Sequence, residues 1–278
     1  MSSKLISLLA IGGSDPLGGA GIQADILAGN SLGLHVMTAI TAVTSQNSNG
    51  IRKLNIVPPE ILLSQLDAIF EDVIPDAIKI GMIGNIENAK IIFGVLLEKA
   101  TEIPIIIDPV MSASAGGNLY QNNDDLLTEF YQTKLFPIAD VVSPNNSEAT
   151  KFLKFNKLEI SENKKENAIK LLDLWKCDSV VLKGGHDDSD FVNDILADRM
   201  EYGVIISESS HPKINCKNLH GTGCVYAALM ASYLALGFQV HEAFIKTSEK
   251  INSIIKRSDN YHLGISKYGP LNITAYRL

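Results

Sequence analysis

The sequence predicts an α/β protein with a mostly parallel central sheet flanked by helices. Three observations carry this expectation. Short runs of Ile, Val and Leu recur along the chain, segments of helical period lie between them, and polar or glycine-rich loops follow six successive apolar runs. Nearly continuous apolar strands are those buried on both faces. Strands that alternate with helices build βαβ units.

In chain order, "LISLLAI" (5–11) reads as the first strand and 20–32 as the first helix. "VMTAITAV" (36–43) is the second strand, followed by a helix at 59–72. "AIKIG" (77–81) precedes a helix at 86–99, and "PIIID" (104–108) precedes one at 122–135. "DVVS" (140–143) leads to helices at 145–153 and 164–176, and "SVVLK" (179–183) is the sixth strand. A hairpin of "VNDILAD" (192–198) and "YGVIIS" (202–207) follows, then two helices at 222–236 and 240–257. The Asn/Lys-rich stretch 154–167 reads as a surface excursion. No linker, repeat or low-complexity segment divides the chain, so a single domain over 1–278 is expected.

Composition narrows the function classes. With 46% apolar and 20% charged residues, the chain belongs with ordinary soluble globular proteins. A net charge of -7 and a pI near 5.4 argue against a nucleic-acid surface. The sequence contains neither a membrane-length apolar run nor a leader pattern, so no membrane partner and a cytoplasmic location are expected. The three cysteines, Cys177, Cys216 and Cys224, are an odd number without metal-type spacing. That pattern suits a reducing compartment with no disulfide framework or zinc site. Because 31 acidic residues outnumber 24 basic ones, an anionic ligand must be held locally, by backbone amides and a few lysines.

Ligands of open α/β sheets collect at the carboxyl ends of the strands. "GGSDPLGGAGIQAD", "TSQNSNG", "GMIGN", "DPVMSASAGG", "SPNNSEA" and "GGH" stand at six such ends, which points to one site along one edge. The first loop, 12–25, holds five glycines but fits neither GxGxxG nor GxxxxGK[ST]. It either brings backbone close to a ligand, with Asp25 inside the following helix, or is a tight turn in which Asp15 caps that helix. Asp108 either holds a metal-bound water or caps its loop. Asn145 and Glu148 are either a Mg²⁺-linked pair beside phosphates or a helix cap, with Ser143 as the other cap candidate. Lys183 ends an apolar strand and must find an anion, phosphate being one, or reach solvent. His186 reads as a local hydrogen-bonder; His35, His211, His241 and His262 carry no spacing signal.

"NLHGTGC" places Gly221, Thr222 and Gly223 at the start of a small-residue helix, where unpaired N–H groups bind anions. The following Cys224 has two readings. Either the helix dipole lowers its pKa and it serves as a base beside the anion hole, or it is a small core residue. In the first reading the amides neutralise charge on a transferred phosphoryl group.

Together, "GGSDPLGGAGIQAD", "TSQNSNGI", "KIGMIG", "IDPVM", "SPNNSEA", "LKGGH" and "NLHGTGC" resemble the hydroxymethylpyrimidine/phosphomethylpyrimidine kinases of thiamine synthesis, in the same order. "GPLN" (269–272) echoes that family's usual ending. The resemblance implies a ribokinase-like three-layer α/β/α sandwich and phosphorylation of 4-amino-5-hydroxymethyl-2-methylpyrimidine to its monophosphate, then its diphosphate. It implies a pyrimidine pocket of Gly13, Asp25, Gln46, Met82, Val110 and Cys224, with Gln46 pairing to the aminopyrimidine edge. It implies a nucleotide side of Asp108, Asn145, Glu148 and Lys183 with the amides of Gly221, Thr222 and Gly223. ATP is the implied co-substrate, Mg²⁺ bridges its phosphates through water on Asp108 and Glu148, and the family's habit is a homodimer.

Some positions depart from the family pattern. Ser114 and Gly117 stand where Lys and Asp are usual, and Leu219 and Val225 replace threonines, which would weaken hydroxyl contacts to phosphates. Two rival functions therefore stay open. One is a pyridoxal/pyridoxine kinase, whose ring also carries a hydroxymethyl group. The other is a non-catalytic binder of a pyrimidine or pyridoxal phosphate, suggested by the altered loop at 112–118.

Overall fold

A computed structural model of the chain describes residues 4–47, 49–111, 124–185, 189–259, 261, 263 and 269–275. The sequence calls on Ser114, Gly117, His186 and His262 lie outside these. The expected βαβ run is present: β1 (Ser7–Ser14), α1 (Gly21–Asn30), β2 (His35–Asn47), β3 (Gly50–Ile56), α2 (Pro59–Asp72), β4 (Ala77–Ile80), α3 (Ile86–Lys99) and β5 (Ile105–Ile107). It continues through α4 (Asp124–Phe130), β6 (Val141–Val142), α5 (Asn146–Phe155), α6 (Lys164–Trp175) and β7 (Ser179–Leu182). The hairpin β8 (Phe191–Met200) and β9 (Gly203–Pro212) follows, then α7 (Thr222–Ala235) and α8 (Val240–Ser258). The nine strands form one sheet in the order β3-β2-β1-β4-β5-β6-β7-β8-β9. Pairs from β2 to β7 are parallel, and both flanks are antiparallel.

Two-residue periodicity divides the strand side chains between two helical layers. Leu9, Ile11, Ile78, Ile80, Ile105, Ile107, Val180 and Leu182 pack with residues of α2 through α6. Leu8, Ile106, Val141 and Val181 point the other way, against α1, α7 and α8. The observed architecture is thus the expected α/β/α sandwich. α7 is apolar all round, as a helix covered by α1, α8 and the sheet must be.

Three expectations are corrected. "TSQNSNG" is not an open loop: β2 runs to Asn47 and returns as β3, with Asn47 opposite Gly50. The polar alternation of β3, with Arg52 and Lys53 exposed, marks a solvated edge strand that lacks the continuous apolar signal of its neighbours. The helix at 122–135 closes α4 at Phe130 and goes on as a wider π-type turn over Tyr131–Leu135. The surface excursion is confined to 156–163, because α5 runs to Phe155 and α6 starts at Lys164 behind the Asn163 cap.

Candidate active site

The strand order reverses beside β1, whose crossovers leave toward β2 on one side while β4 lies on the other. A crevice opens at the carboxyl ends of strands at such a point. Here a cleft of about 560 Å³, its open mouth included, is walled by Gly13, Gln46, Met82, Val110, His220 and Cys224. Two register shifts border it, between Gly12 and Gly13 in β1 and between Ser45 and Gln46 in β2. Bulges of this kind re-aim the residues that follow them.

The two glycine motifs interlock beneath the cleft. A Cβ on Gly221 would stand 1.8 Å from the Gly19 carbonyl oxygen, and one on Gly21 would stand 2.2 Å from that of Gly13. Both glycines have positive φ, +83° and +57°, which side-chain-bearing residues rarely adopt. Asp15 braces the first loop: its carboxylate accepts from the N–H of Leu17 (2.9 Å), Gly19 (3.2 Å) and Ala20 (2.9 Å). It therefore shapes the turn, while α1 itself begins at Ala20 without a side-chain cap.

Gly221, Thr222, Gly223 and Cys224 open α7, and no side chain caps it. The Thr222 amide and hydroxyl both turn back to the Leu219 carbonyl, at 3.2 and 2.7 Å, so Thr222 is less available to an anion than expected. Cys224 is half-buried and lines the cleft. Of its two readings, the one with a lowered pKa does not match the direction found, which is upward. Burial pushes the thiol up to about 11, with Lys79 pulling down, Asp108 and Asp25 pushing up, and a hydrogen bond from the Gly21 backbone pulling down. Desolvation outweighs the helix terminus.

Asp108, Glu148 and Lys183, expected on the nucleotide side, form one buried cluster. Lys183 finds its anion inside the protein, with Nζ 2.6 Å from Asp108 Oδ1. A Cβ on Gly223 would lie 3.5 Å from that ammonium, so the lysine stands at the α7 terminus. Asn145 and Glu148 form a complete capping box on α5, so the cap reading is realised and Ser143 is not the cap. Glu148 is also buried beside Asp108 and Lys183; burial raises its pKa well above the carboxylate range, with Lys183 opposing and Asp108 reinforcing. Two adjacent carboxylates with oxygen donors suit Mg²⁺, which is bound through one or two carboxylates, waters and substrate phosphates.

Asp25 is the exception among the expected pocket residues. It is fully buried and pairs with Lys79 (2.9 Å), outside the cleft wall. Val225 is also buried, in the core against the sheet, so its lack of a hydroxyl does not bear on phosphate contacts. Two residues escaped sequence reasoning. His220 Nε2 lies 3.1 Å from Asp15 Oδ2 and 3.2 Å from the Gln46 amide, so it fixes the side chain expected to read the ring. Lys79 lines the cleft from the middle of an otherwise apolar strand. Both sat inside quoted motifs, and the signal for Lys79 was a cation where every neighbour is aliphatic.

A sequence profile described as phosphomethylpyrimidine kinase matches residues 15–272. The chain belongs to that family. Among relatives of this kinase, the hydroxymethylpyrimidine/phosphomethylpyrimidine kinase of Bacillus subtilis is 34% identical over 276 residues, covering 99% of this chain and 97% of that protein. The thiamine biosynthesis bifunctional protein of Geobacter sulfurreducens is 36% identical over 266 residues, which is 96% of this chain and 52% of the relative. The kinase thus spans about half of that fused protein. The solved pyridoxal kinase of Staphylococcus aureus, in complex with AMP-PCP and pyridoxal, superposes with a TM-score of 0.84 at 29% identity, covering 99% of this chain and 95% of that one. The fold is the ribokinase-like one that the motifs implied.

Proposed function

We propose that this kinase transfers the γ-phosphoryl group of ATP to the hydroxymethyl oxygen of 4-amino-5-hydroxymethyl-2-methylpyrimidine, and then phosphorylates the monophosphate. Phosphorylation for thiamine biosynthesis is the activity that its family and full-length relatives carry. The observation that carries the finer reading is that Cys224, in the cleft wall, stands in the uncapped first turn of α7, against which Lys183 of the Lys183–Asp108–Glu148 cluster packs. The apolar walls Met82 and Val110 sandwich a flat ring, and Gln46, held by His220, pairs with its polar edge. The acceptor oxygen attacks the γ-phosphorus, the bond to the β–γ bridging oxygen breaks, and the hydroxyl proton passes to the Cys224 sulfur. The amides of Gly221 and Gly223 and the ammonium of Lys183 face the charge on the transferred group. Asp108 and Glu148 are the residues that would hold Mg²⁺, which would supply charge neutralisation on the phosphates.

The same reading includes a single domain, a cytoplasmic homodimer and no nucleic-acid or membrane partner. Its supports are the three free cysteines, the outer edges of β3 and β9, which pair with no further strand among the described residues, and the acidic net charge. Among the described residues no helix is long and apolar enough to cross a membrane. A Mg²⁺-ATP assay that follows monophosphate and diphosphate separately tests the proposal. Both products in succession are expected; monophosphate alone would restrict it to the first step. The second reading, a pyridoxal kinase, is favoured by the likeness to the pyridoxal-bound structure. Turnover of pyridoxal above that of the pyrimidine at equal concentration would replace the proposal with it. Tight binding of either ring without turnover would leave the binding-protein reading.

A further inference from the structure

Against the cleft, with Lys79 in its wall and Asp25 behind it, lies a buried ion pair to which the mechanism above gives no task. Lys79 lies between Ile78 and Ile80 on β4. Those two isoleucines face the α2–α6 layer, so alternation aims Lys79 at the opposite layer, where α1 and α7 pack. Its ammonium is 2.9 Å from Asp25 Oδ2 on α1, and both side chains are excluded from solvent. A Cβ on Gly81 would stand 2.7 Å from Nζ, so the lysine folds over that glycine toward the strand end and the cleft. Asp25 Oδ1 has no partner among the described residues. A paired lysine and aspartate here cost desolvation that an apolar pair would avoid. Cys224, on the same cleft wall, is the neighbour with a use for the charge.

We propose that Lys79, anchored by Asp25, is the positioning residue for the proton step at Cys224, its ammonium being the built-in counter-charge of the thiolate. The inference rests on the reading of Cys224 as the base. Taking the acceptor proton requires Sγ as thiolate, and burial alone disfavours that form. The charged groups facing the sulfur are Lys79 from β4, Asp25 from α1, Asp108 beyond β5 and Lys183 beyond β7. Of these, Lys79 exerts the largest effect on the thiol, and it favours the thiolate. Burial lowers the affinity of Lys79 for its proton, but Asp25, Cys224 and Asp108 more than restore it, so the lysine stays cationic. Asp25 thus works at one remove: it keeps Lys79 charged and fixes where the charge lies.

The test reads the thiol directly. The rate of Cys224 alkylation by iodoacetamide, located by peptide mass spectrometry, is followed against pH in the intact protein. Lys79→Met is expected to move the profile upward and slow alkylation about tenfold near pH 9, the equivalent of one pKa unit. Lys79→Arg should keep most of the wild-type rate. Asp25→Asn/Lys79→Met leaves no buried charge unpaired, which protects the fold, and should show a smaller upward shift. A Lys79→Met or double-variant protein with the wild-type profile overturns the role of Lys79. Cys224→Ala with wild-type turnover overturns the base reading instead, and with it the step that Lys79 would serve, so the two failures are separable.

Discussion

Cys224 stands where two helix starts meet, its own at α7 and that of α1, whose Gly21 backbone hydrogen-bonds to it. A base that acts only as the hydroxyl proton leaves contributes to the chemical step and not to nucleotide binding. Cys224→Ala should therefore lower kcat by about 10²–10⁴ with the KM for ATP nearly unchanged, measured by steady-state kinetics. A rise in KM at constant kcat would instead make it a binding residue. Gly221 carries the second prediction at this scale. Gly221→Ala sets a methyl against the Gly19 carbonyl at a positive φ, and about 2–3 kcal/mol of strain is expected. Thermal unfolding should show this as a fall in Tm of several degrees; an unchanged Tm would mean that the two glycine loops part easily. Cys224, Lys183 and Asp108 were legible because each ends a strand or begins a helix inside a compact motif. The Lys79–Asp25 pair was not, because its members are 54 residues apart and meet only when α1 lies on the sheet. The direction of the thiol's pKa was left open between two readings for a related reason. A helix terminus is visible in sequence, but the burial that opposes it is a property of packing.

The elements that hold the site are short, and their ends do the positioning. β1 begins where Asp76, just before β4, accepts from the Ser7 amide at 2.9 Å and its hydroxyl at 3.2 Å and pairs with Lys4. That contact joins the two strands between which the cleft opens. Burial raises the Asp76 pKa, but Lys4 and Ser7 more than offset it and hold the carboxyl below its ordinary 3.8. A depressed folded-state pKa stabilises the fold above the unfolded value, and the contribution is lost as pH falls through the folded one. Asp76→Asn should thus cost about 1–2 kcal/mol at pH 7, with the difference from wild type shrinking at an acid pH below the lowered folded-state value. Chemical denaturation at both pH values checks this. An equal deficit at each would show that shape, not charge, is what the residue contributes. The same scale shows where patterning is informative. Strands buried on both faces were located to within a few residues, since Ile, Val and Leu have no other place to go. β3 was missed because an edge strand carries Arg52, Lys53 and Asn55 on its open side and reads as a loop.

At the scale of the molecule, the sheet separates two apolar layers that share every central strand. Residues one apart on β1, β5 and β7 serve opposite layers, so neither layer can dissolve without exposing the backs of strands that the other needs. One cooperative unfolding transition is the consequence. The single tryptophan offers a one-sided probe, because Trp175 is fully buried in the α2–α6 layer, its ring centroid 4.5 Å from that of Phe136 and 5.2 Å from that of Phe152. The Lys183–Asp108 cluster proposed to face the nucleotide lies instead at the strand ends, toward α7. A ligand that binds only the folded state at 100 times its Kd adds about 2.7 kcal/mol of stability, an increase in Tm of roughly 5 °C for a chain of this size. Mg²⁺-ATP should therefore raise the transition seen by Trp175 fluorescence and by far-ultraviolet circular dichroism by the same amount. ATP with chelator should raise both less if the proposed assignment holds, because Asp108 and Glu148 would then face the phosphates without an intervening cation. Two separated transitions, or a shift in dichroism without one in fluorescence, would show that the layers unfold independently and that the chain is more than one domain.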